Sequence, residues 1–175
     1  ILIDISIAVF MRYDRQILLP EIGEEGQEKL KAAKVLIVGV GGLGSPIALY
    51  QAGAGVGTIG LVDDDVVSIS NLQRQVLYSE EELGDFKAVC AAMRLTALNS
   101  EIKINSCPGR LSKENAQELI NAYDIIVDGC DNFVTRYLIN DSCMALGKPY
   151  VYGAISGFEG QVSVFNYGDN PKNYR

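Results

Sequence analysis

A single segment in the first third of this chain, residues 34–52, constrains its fold more than any other. It begins with a continuous apolar run, Lys34–Val40 (K-V-L-I-V-G-V), which is the pattern of a short strand buried on both faces of a sheet. The glycine-rich stretch Gly39–Gly44 (G-V-G-G-L-G) overlaps the end of this run. Ser45-Pro46 follows and predicts a helix over Ile47–Ala52, because serine caps helices and proline suits their first turn. The segment therefore predicts a strand, a glycine loop and a helix in direct succession.

The alternation of strands and helices continues through the rest of the chain. Further strands are predicted at Thr58–Val62, Ile102–Asn105, Asp124–Val127 and Pro149–Tyr152, with an alternating, antiparallel strand at Gln161–Tyr167. Helical patterns occupy Glu24–Ala33, Glu81–Asn99, Ser112–Asn121 and Asn132–Leu146. This order predicts an α/β fold, a doubly wound, Rossmann-like, mostly parallel sheet with helices on both faces.

Length and composition indicate one globular domain and exclude several kinds of chemistry. The 175 residues are 48% hydrophobic and 21% charged, which is enough to bury a core without disulfides or a structural metal. The chain has no histidine, so an imidazole general base, a Ser-His-Asp or Cys-His pair and a histidine metal ligand are all excluded. A net charge of −7 argues against a broad surface that binds nucleic acid.

The four cysteines indicate the redox compartment. Cys90, Cys107, Cys130 and Cys143 include no C-x-x-C spacing, so neither a zinc knuckle nor a thioredoxin-type pair is indicated. Their apolar neighbours favour buried, reduced thiols over two disulfides, and hence a cytoplasmic location.

The first eleven residues, Ile1–Met11, are expected to form an N-terminal extension to a domain that spans residues 12–175. The extension is apolar apart from Asp4, but it has no basic start and is too short to span a bilayer. Met11 directly precedes a polar segment and is a candidate for the natural start. Because no other segment approaches the length of a transmembrane helix, no membrane partner is expected.

The glycine loop and the acidic turn after the second predicted strand indicate a nucleotide site. Glycines without side chains let backbone amides approach a phosphate, and the following helix N-terminus adds favourable charge. The glycines that fit G-x-G-x-x-G are Gly39, Gly41, Gly42 and Gly44. Asp63 ends the second strand, where dinucleotide folds place the carboxylate that binds a ribose. Asp63 and Asp65 are therefore candidates, whereas Asp64 fits a solvated turn.

Two cations after the second strand favour a nucleoside triphosphate. Arg74 lies in the polar stretch Ser70–Gln75 (S-N-L-Q-R-Q), and Lys87 follows it along the chain. Beside a glycine loop, such cations suit a triphosphate, whereas a nicotinamide enzyme has no use for a second group of phosphate-binding cations. A nicotinamide- or flavin-dependent oxidoreductase remains the alternative interpretation of the loop.

The stretch Asp128–Asn132 (D-G-C-D-N) follows the fourth predicted strand, at the edge where such sheets bind ligands. A carboxylate here, Asp131, can hold Mg²⁺ against phosphate oxygens. The alternative is that Asp131 and Asn132 cap the next helix. Both can hold at once, because capping occupies one carboxylate oxygen and leaves the other free.

Six motifs in matching order make the chain resemble a known family. They are R-Y-x-R-Q at Arg12–Gln16, the loop Gly39–Gly44, N-L-Q-R-Q at Asn71–Gln75, Lys87, D-x-x-D-N at Asp128–Asn132 and E-G-Q at Glu159–Gln161. The chain is similar, from Arg12 to Arg175, to the ThiF/MoeB/HesA group of the ubiquitin-activating-enzyme-like superfamily. The resemblance implies an adenylyltransferase that acts in thiamine or molybdopterin biosynthesis.

In that family, ATP with Mg²⁺ activates the C-terminal glycine carboxylate of a small ubiquitin-like sulfur carrier, which ends in Gly-Gly. The products are an acyl-adenylate and pyrophosphate. The resemblance implies that Asp63 holds the ribose and that Asp131 coordinates Mg²⁺. It also implies that Arg15 reaches the γ-phosphate from the neighbouring subunit of a homodimer. The candidate catalytic residues are thus Arg15, Arg74, Lys87 and Asp131, and the candidate nucleotide-binding residues are Gly39, Gly41, Gly42, Gly44, Asp63, Asp65, Ser70, Asn71, Arg74, Lys87, Asp131 and Asn132.

The chain departs from the family pattern at its C-terminal end. Typical members carry a zinc-binding C-x-x-C where this chain reads Lys172–Arg175 (K-N-Y-R), with Asn173 at the first cysteine position. Structural zinc is therefore not expected on this chain, which we expect to be part of a longer protein. A non-catalytic partner subunit is an alternative, but such a subunit should have lost catalytic residues that this chain keeps. A relative that acts on tRNA would favour a more basic surface.

Overall fold

The computed structural model describes residues 12–175, which form a six-stranded sheet flanked by helices. The predicted extension Ile1–Met11 lies outside these residues. The strands are β1 (Lys34–Val38), β2 (Thr58–Val62), β3 (Lys103–Cys107), β4 (Ile125–Asp128), β5 (Tyr150–Ser156) and β6 (Glu159–Phe165). The α-helices are α1 (Gly23–Ala32), α2 (Gly44–Ala54), α3 (Lys87–Leu98), α4 (Ala116–Asn121) and α5 (Phe133–Leu146). Residues 12–17 are also helical.

The sheet confirms the predicted fold class. Its strand order is β3-β2-β1-β4-β5-β6, with β1 to β5 parallel and β6 antiparallel to β5. Alternate residues of the central strand β1 enter different cores because side chains alternate across a sheet. Val35 and Ile37 pack with α2 and α3, whereas Leu36 and Val38 pack with α4 and α5. Helices thus cover both faces, as the uninterrupted apolar run predicts.

Several predicted element boundaries were wrong for identifiable local reasons. The predicted helix Glu81–Asn99 divides into a short 3₁₀ turn at Glu80–Glu82 and the helix α3. Gly84, at φ +91°, reverses the chain between them. Helix α2 begins at Gly44, before the predicted serine cap, and its N-cap residue Leu43 makes no side-chain capping hydrogen bond. Strand β5 extends beyond its predicted end because it pairs with β6 along its whole length.

The strand order creates a crevice beside the central strand. From β1, the chain winds to β2 and β3 on one side, while β4 and β5 lie on the other. The loops at the carboxyl ends of β1 and β4 therefore diverge, which is where such sheets bind ligands. The two loops touch at their start: a Cβ on Gly39 would lie 2.8 Å from the carbonyl carbon of Gly129. None of the helices in the described part of the chain is both long and apolar enough to cross a membrane.

Candidate functional site

A cavity of about 1180 Å³ opens at the carboxyl ends of the parallel strands. It brings together most of the residues predicted from the sequence, although they come from three separate loops, after β1, β2 and β4, and from the first residue of α3. The predicted residues that line it are Gly39, Gly41, Gly42, Asp63, Asp65, Asn71, Arg74, Lys87, Asp131 and Asn132. The remaining candidates, Arg15, Gly44 and Ser70, do not line it.

Asp63 joins the end of β2 to the glycine loop. Its Oδ2 accepts a hydrogen bond from the backbone N–H of Val40 at 2.7 Å, and its Oδ1 accepts one from Asp65 at 2.8 Å. Burial raises the pKa of the Asp63 carboxyl, although both hydrogen bonds oppose that rise. Each oxygen retains a lone pair for a further donor, such as a ribose hydroxyl.

Lys87 is the buried cation of the cavity. Its Nζ donates to Oδ2 of Asp65 at 2.9 Å, and the Lys87 side chain is only 5% exposed, against 71% for Asp65. A buried ammonium requires a negative partner, and a solvated carboxylate supplies it at little cost in desolvation. A phosphate in the cavity can therefore compete with Asp65 for Lys87. Asp65 is the partner of Lys87 in this structure, and its contact with a nucleotide stays a prediction.

Arg74 lies against the glycine loop beside Gly42. Its Nε would lie 3.4 Å from a Cβ on Gly42, and its guanidinium donates to the carbonyl of Ser70 at 3.2 Å. Asn71 closes the short 3₁₀ turn Ile69–Asn71, because its Oδ1 accepts from the N–H of Ser68 at 3.3 Å. Arg74 itself is exposed, so it is free to turn toward an anion in the cavity.

The structure separates the two predicted roles of Asp131 and Asn132. Asn132 caps α5, since its Oδ1 accepts from the N–H of Thr135 at 2.9 Å. Asp131 is exposed, and within residues 12–175 its carboxylate makes no hydrogen bond or ion pair. The prediction that Asp131 shares in the cap was therefore wrong. A free carboxylate on the cavity wall suits Mg²⁺, which prefers oxygen ligands and usually takes only one or two carboxylates.

Arg15 and Gly44 have other surroundings. Arg15 is exposed on the helical segment 12–17, which is anchored where Tyr13 accepts a hydrogen bond from Asn99 at 2.7 Å. Gly44 is buried in the first turn of α2, where a side chain would collide with the carbonyl oxygen of Gly39. Gly44 therefore serves the packing of helix against strand, and the predicted action of Arg15 across a dimer remains a prediction.

Sequence reasoning missed two buried residues on the cavity wall. Gln75 is 2% exposed, and its Oε1 has no hydrogen-bond partner within the described chain. Arg136 is 8% exposed and lies beside Asp128, with Nε 3.6 Å from Oδ2. Gln75 is the last residue of the polar stretch Ser70–Gln75, next to Arg74, so the sequence did offer a signal that could have predicted its place in the site. The pairing of Arg136 with Asp128 depends on how α5 lies on the sheet.

Cys130 also lines the cavity, but it is not a competent nucleophile. Burial and, to a smaller extent, the neighbouring Asp128 together raise the pKa of its thiol to about 12. The thiol is therefore protonated near neutral pH, whereas the thiolate is the reactive form. All four cysteines of the chain are free in this structure.

The model of the ThiF family matches residues 13–175. Among curated proteins, the chain is 53% identical over 156 residues to a sulfur carrier protein adenylyltransferase of Thermus thermophilus, covering 89% of this chain and 58% of that protein. It is 49% identical over 167 residues to a probable molybdopterin-synthase adenylyltransferase of Porphyra purpurea, covering 95% and 44%. The chain thus spans about half the length of these curated relatives.

Solved structures show the same fold. The crystal structure of PaaA matches with a TM-score of 0.82 at 29% identity, covering 92% of this chain and 52% of that one. Escherichia coli MccB with ATP matches with a TM-score of 0.75 at 32% identity, covering 82% and 44%. The Escherichia coli tRNA N6-threonylcarbamoyladenosine dehydratase TcdA matches with a TM-score of 0.79 at 27% identity, covering 85% and 62%.

Proposed function

The chain belongs to the ThiF family, and from this premise we propose that it is the ATP-binding part of a sulfur-carrier adenylyltransferase. The observation that carries the proposal is that a single cavity brings a glycine loop together with cations that can bind phosphate and a carboxylate that can bind Mg²⁺. The cations are Arg74 and Lys87, and the carboxylate is Asp131. The two curated relatives described above, both named adenylyltransferases, support the same activity.

The reaction is attack of the carrier's C-terminal carboxylate on the α-phosphorus of ATP. A carboxylate–phosphorus bond forms, the bond to pyrophosphate breaks, and the acyl-adenylate remains. A carboxylate needs no general base, so the chain can promote this step without a histidine. What the step requires is neutralisation of phosphate charge and an in-line approach.

The cavity residues can meet these requirements. The N–H groups of Gly39 and Val40 already donate to Val62 and Asp63, so those of Gly41 and Gly42 would bind the phosphates. Asp63 would accept from the ribose. Lys87 would exchange Asp65 for a phosphate oxygen, and the exposed Arg74 side chain beside Gly42 would turn toward the phosphates. Asp131 would hold Mg²⁺, which supplies positive charge to the phosphate oxygens when bound.

The proposed substrate is a ubiquitin-like carrier that ends in Gly-Gly, in thiamine or molybdopterin biosynthesis. One curated relative is named for a sulfur carrier and another for molybdopterin synthase. These names support a sulfur-carrier substrate and do not choose between the two pathways. We further propose a homodimer in the cytoplasm.

ATP–pyrophosphate exchange by the full-length protein tests this proposal. Exchange should require a carrier with its Gly-Gly terminus and should be lost when the carrier lacks these two glycines. Nucleotide binding with no exchange for any carrier of either pathway would favour the non-catalytic partner subunit instead.

We expect ATP with Mg²⁺ to stabilise the protein, and NAD to have no comparable effect. The cations Arg74 and Lys87 suit a triphosphate, which binds the native state and shifts unfolding by mass action. At a hundredfold excess over the Kd, the shift corresponds to about 2.7 kcal/mol. Thermal unfolding at increasing ATP and NAD concentrations measures it. A larger shift with NAD than with ATP would favour the alternative interpretation, a nicotinamide-dependent oxidoreductase.

Two glycines of the loop should respond differently to alanine. A Cβ on Gly42 would meet only the flexible Arg74 side chain within 4 Å, so Gly42→Ala should fold normally but weaken ATP binding. Gly39 has φ +86° and touches the Gly129 backbone, so Gly39→Ala should lose about 1–3 kcal/mol of stability. Thermal unfolding and ATP titration of both variants compare them. Normal ATP affinity in Gly42→Ala would contradict the proposal that the glycine loop binds ATP.

A further inference from the structure

Three buried polar side chains form a network behind the loop that carries Asp131. Asp128 is 1% exposed, and its Oδ2 accepts from the hydroxyl of Tyr150 at 2.7 Å. Arg136 approaches the same oxygen with its Nε at 3.6 Å. The guanidinium also packs against the rings of Phe133 and Tyr152, whose centroids lie 5.7 and 5.3 Å from its central carbon. The Arg136 head therefore has two aromatic neighbours besides Asp128.

This network holds the backbone on the N-terminal side of Asp131. Asp128 Oδ1 accepts from the N–H of Cys130 at 2.9 Å, and Arg136 donates to the carbonyl oxygen of Cys130 at 3.0 Å. On the other side, Asn132 is held by its cap to Thr135. Both neighbours of Asp131 are thus fixed, while its own carboxylate makes no hydrogen bond or ion pair within the described residues.

We propose that Arg136, held by Asp128 and Tyr150, is a positioning residue for Asp131. The proposal rests on the proposed function, in which Asp131 holds Mg²⁺. A carboxylate with no hydrogen bond of its own can be aimed only through its backbone, and Arg136 binds the carbonyl that immediately precedes Asp131. Groups that orient a metal ligand from behind are known to determine metal affinity strongly.

Stability alone does not account for this arrangement. A buried ion pair often contributes no more than apolar residues of similar volume would. The Asp128–Arg136 contact is also long, and Arg136 Nε has no hydrogen-bond partner within residues 12–175. The shorter contacts instead run to the Cys130 backbone and the Tyr150 hydroxyl. Two of these three short hydrogen bonds therefore hold the Cys130 backbone beside Asp131.

Tyr150→Phe tests the proposal, because it removes the hydroxyl that binds Asp128 and keeps the buried ring. Tyr123→Phe is the matched control. It removes the hydroxyl of another buried tyrosine, bonded to Asn105 at 3.1 Å and away from the cavity. Arg136→Lys and Arg136→Met provide a second pair, in which lysine retains the positive charge and can reach toward the Cys130 carbonyl.

The primary measurement is Mn²⁺ binding by electron paramagnetic resonance, with a non-hydrolysable ATP analogue present and folding checked by circular dichroism. Tyr150→Phe and Arg136→Met should weaken Mn²⁺ affinity by about tenfold or more, Tyr123→Phe should leave it unchanged, and Arg136→Lys should recover part of the loss. The Mg²⁺ concentration for half-maximal exchange should rise in parallel.

Wild-type Mn²⁺ affinity in folded Tyr150→Phe and Arg136→Met would overturn the positioning role, as would an equal loss in Tyr123→Phe. These outcomes leave the proposed function intact, because wild-type exchange is measured separately. Absence of exchange in the wild-type protein would instead contradict the proposed function.

Discussion

Replacing Asp131 with asparagine should abolish adenylate formation and leave the protein folded. Asn132, rather than Asp131, caps α5, and the Asp131 side chain is exposed without a partner in the described residues, so the fold does not depend on it. Loss of a metal-binding carboxylate removes several kcal/mol of charge stabilisation in the transition state. We therefore expect pyrophosphate exchange to fall by at least about 100-fold.

The matched variant is Asn132→Ala at the adjacent position. It removes the hydrogen bond to Thr135 and should lower stability by about 1 kcal/mol, which is the ordinary cost of losing a cap. Thermal unfolding and exchange assays on both variants distinguish the two roles. An active Asp131→Asn enzyme would refute the metal assignment, and an unfolded Asp131→Ala protein would show that the carboxylate has a structural role after all.

Mixing two inactive variants should restore activity if Arg15 acts across a dimer. Arg15 is exposed, does not line the cavity of its own chain, and forms no ion pair within residues 12–175. A guanidinium is suited to bind phosphate in a neighbouring pocket. Arg15→Ala and Asp131→Ala should each be inactive as homodimers. A mixed dimer would contain one pocket with both residues intact.

The expected recovery is about a quarter of wild-type exchange, because half of randomly exchanged dimers are mixed and each has one intact pocket of two. Lys87→Ala mixed with Asp131→Ala provides the negative control. Both of these residues line the cavity of one chain, so no pocket regains both. Absence of recovery despite demonstrated subunit exchange would place Arg15 in its own pocket or outside the site.

The amino-acid sequence by itself determined the layers of this protein and most of its cavity. The run Lys34–Val40 predicted a strand buried on both faces, and Thr58–Val62 was predicted with its observed limits. Strand ends and glycine loops were also sufficient to predict that Asp63, Lys87 and Asp131 lie near one another. These inferences succeed because side-chain periodicity, glycine freedom and the shared edge of parallel strands are local or topological properties.

Only the tertiary structure decided which groups become partners. The sequence placed Asp65 and Lys87 in the same site, but their ion pair depends on how the chain before α3 folds back against the segment after β2, where Phe86 pairs with Val66. The contact of Arg136 with Asp128 likewise requires α5 to lie over β4, and Tyr150 to stand on the neighbouring strand. Such contacts join residues that no local pattern relates, and their free energy depends on burial and on angstrom-scale geometry set by the whole sheet.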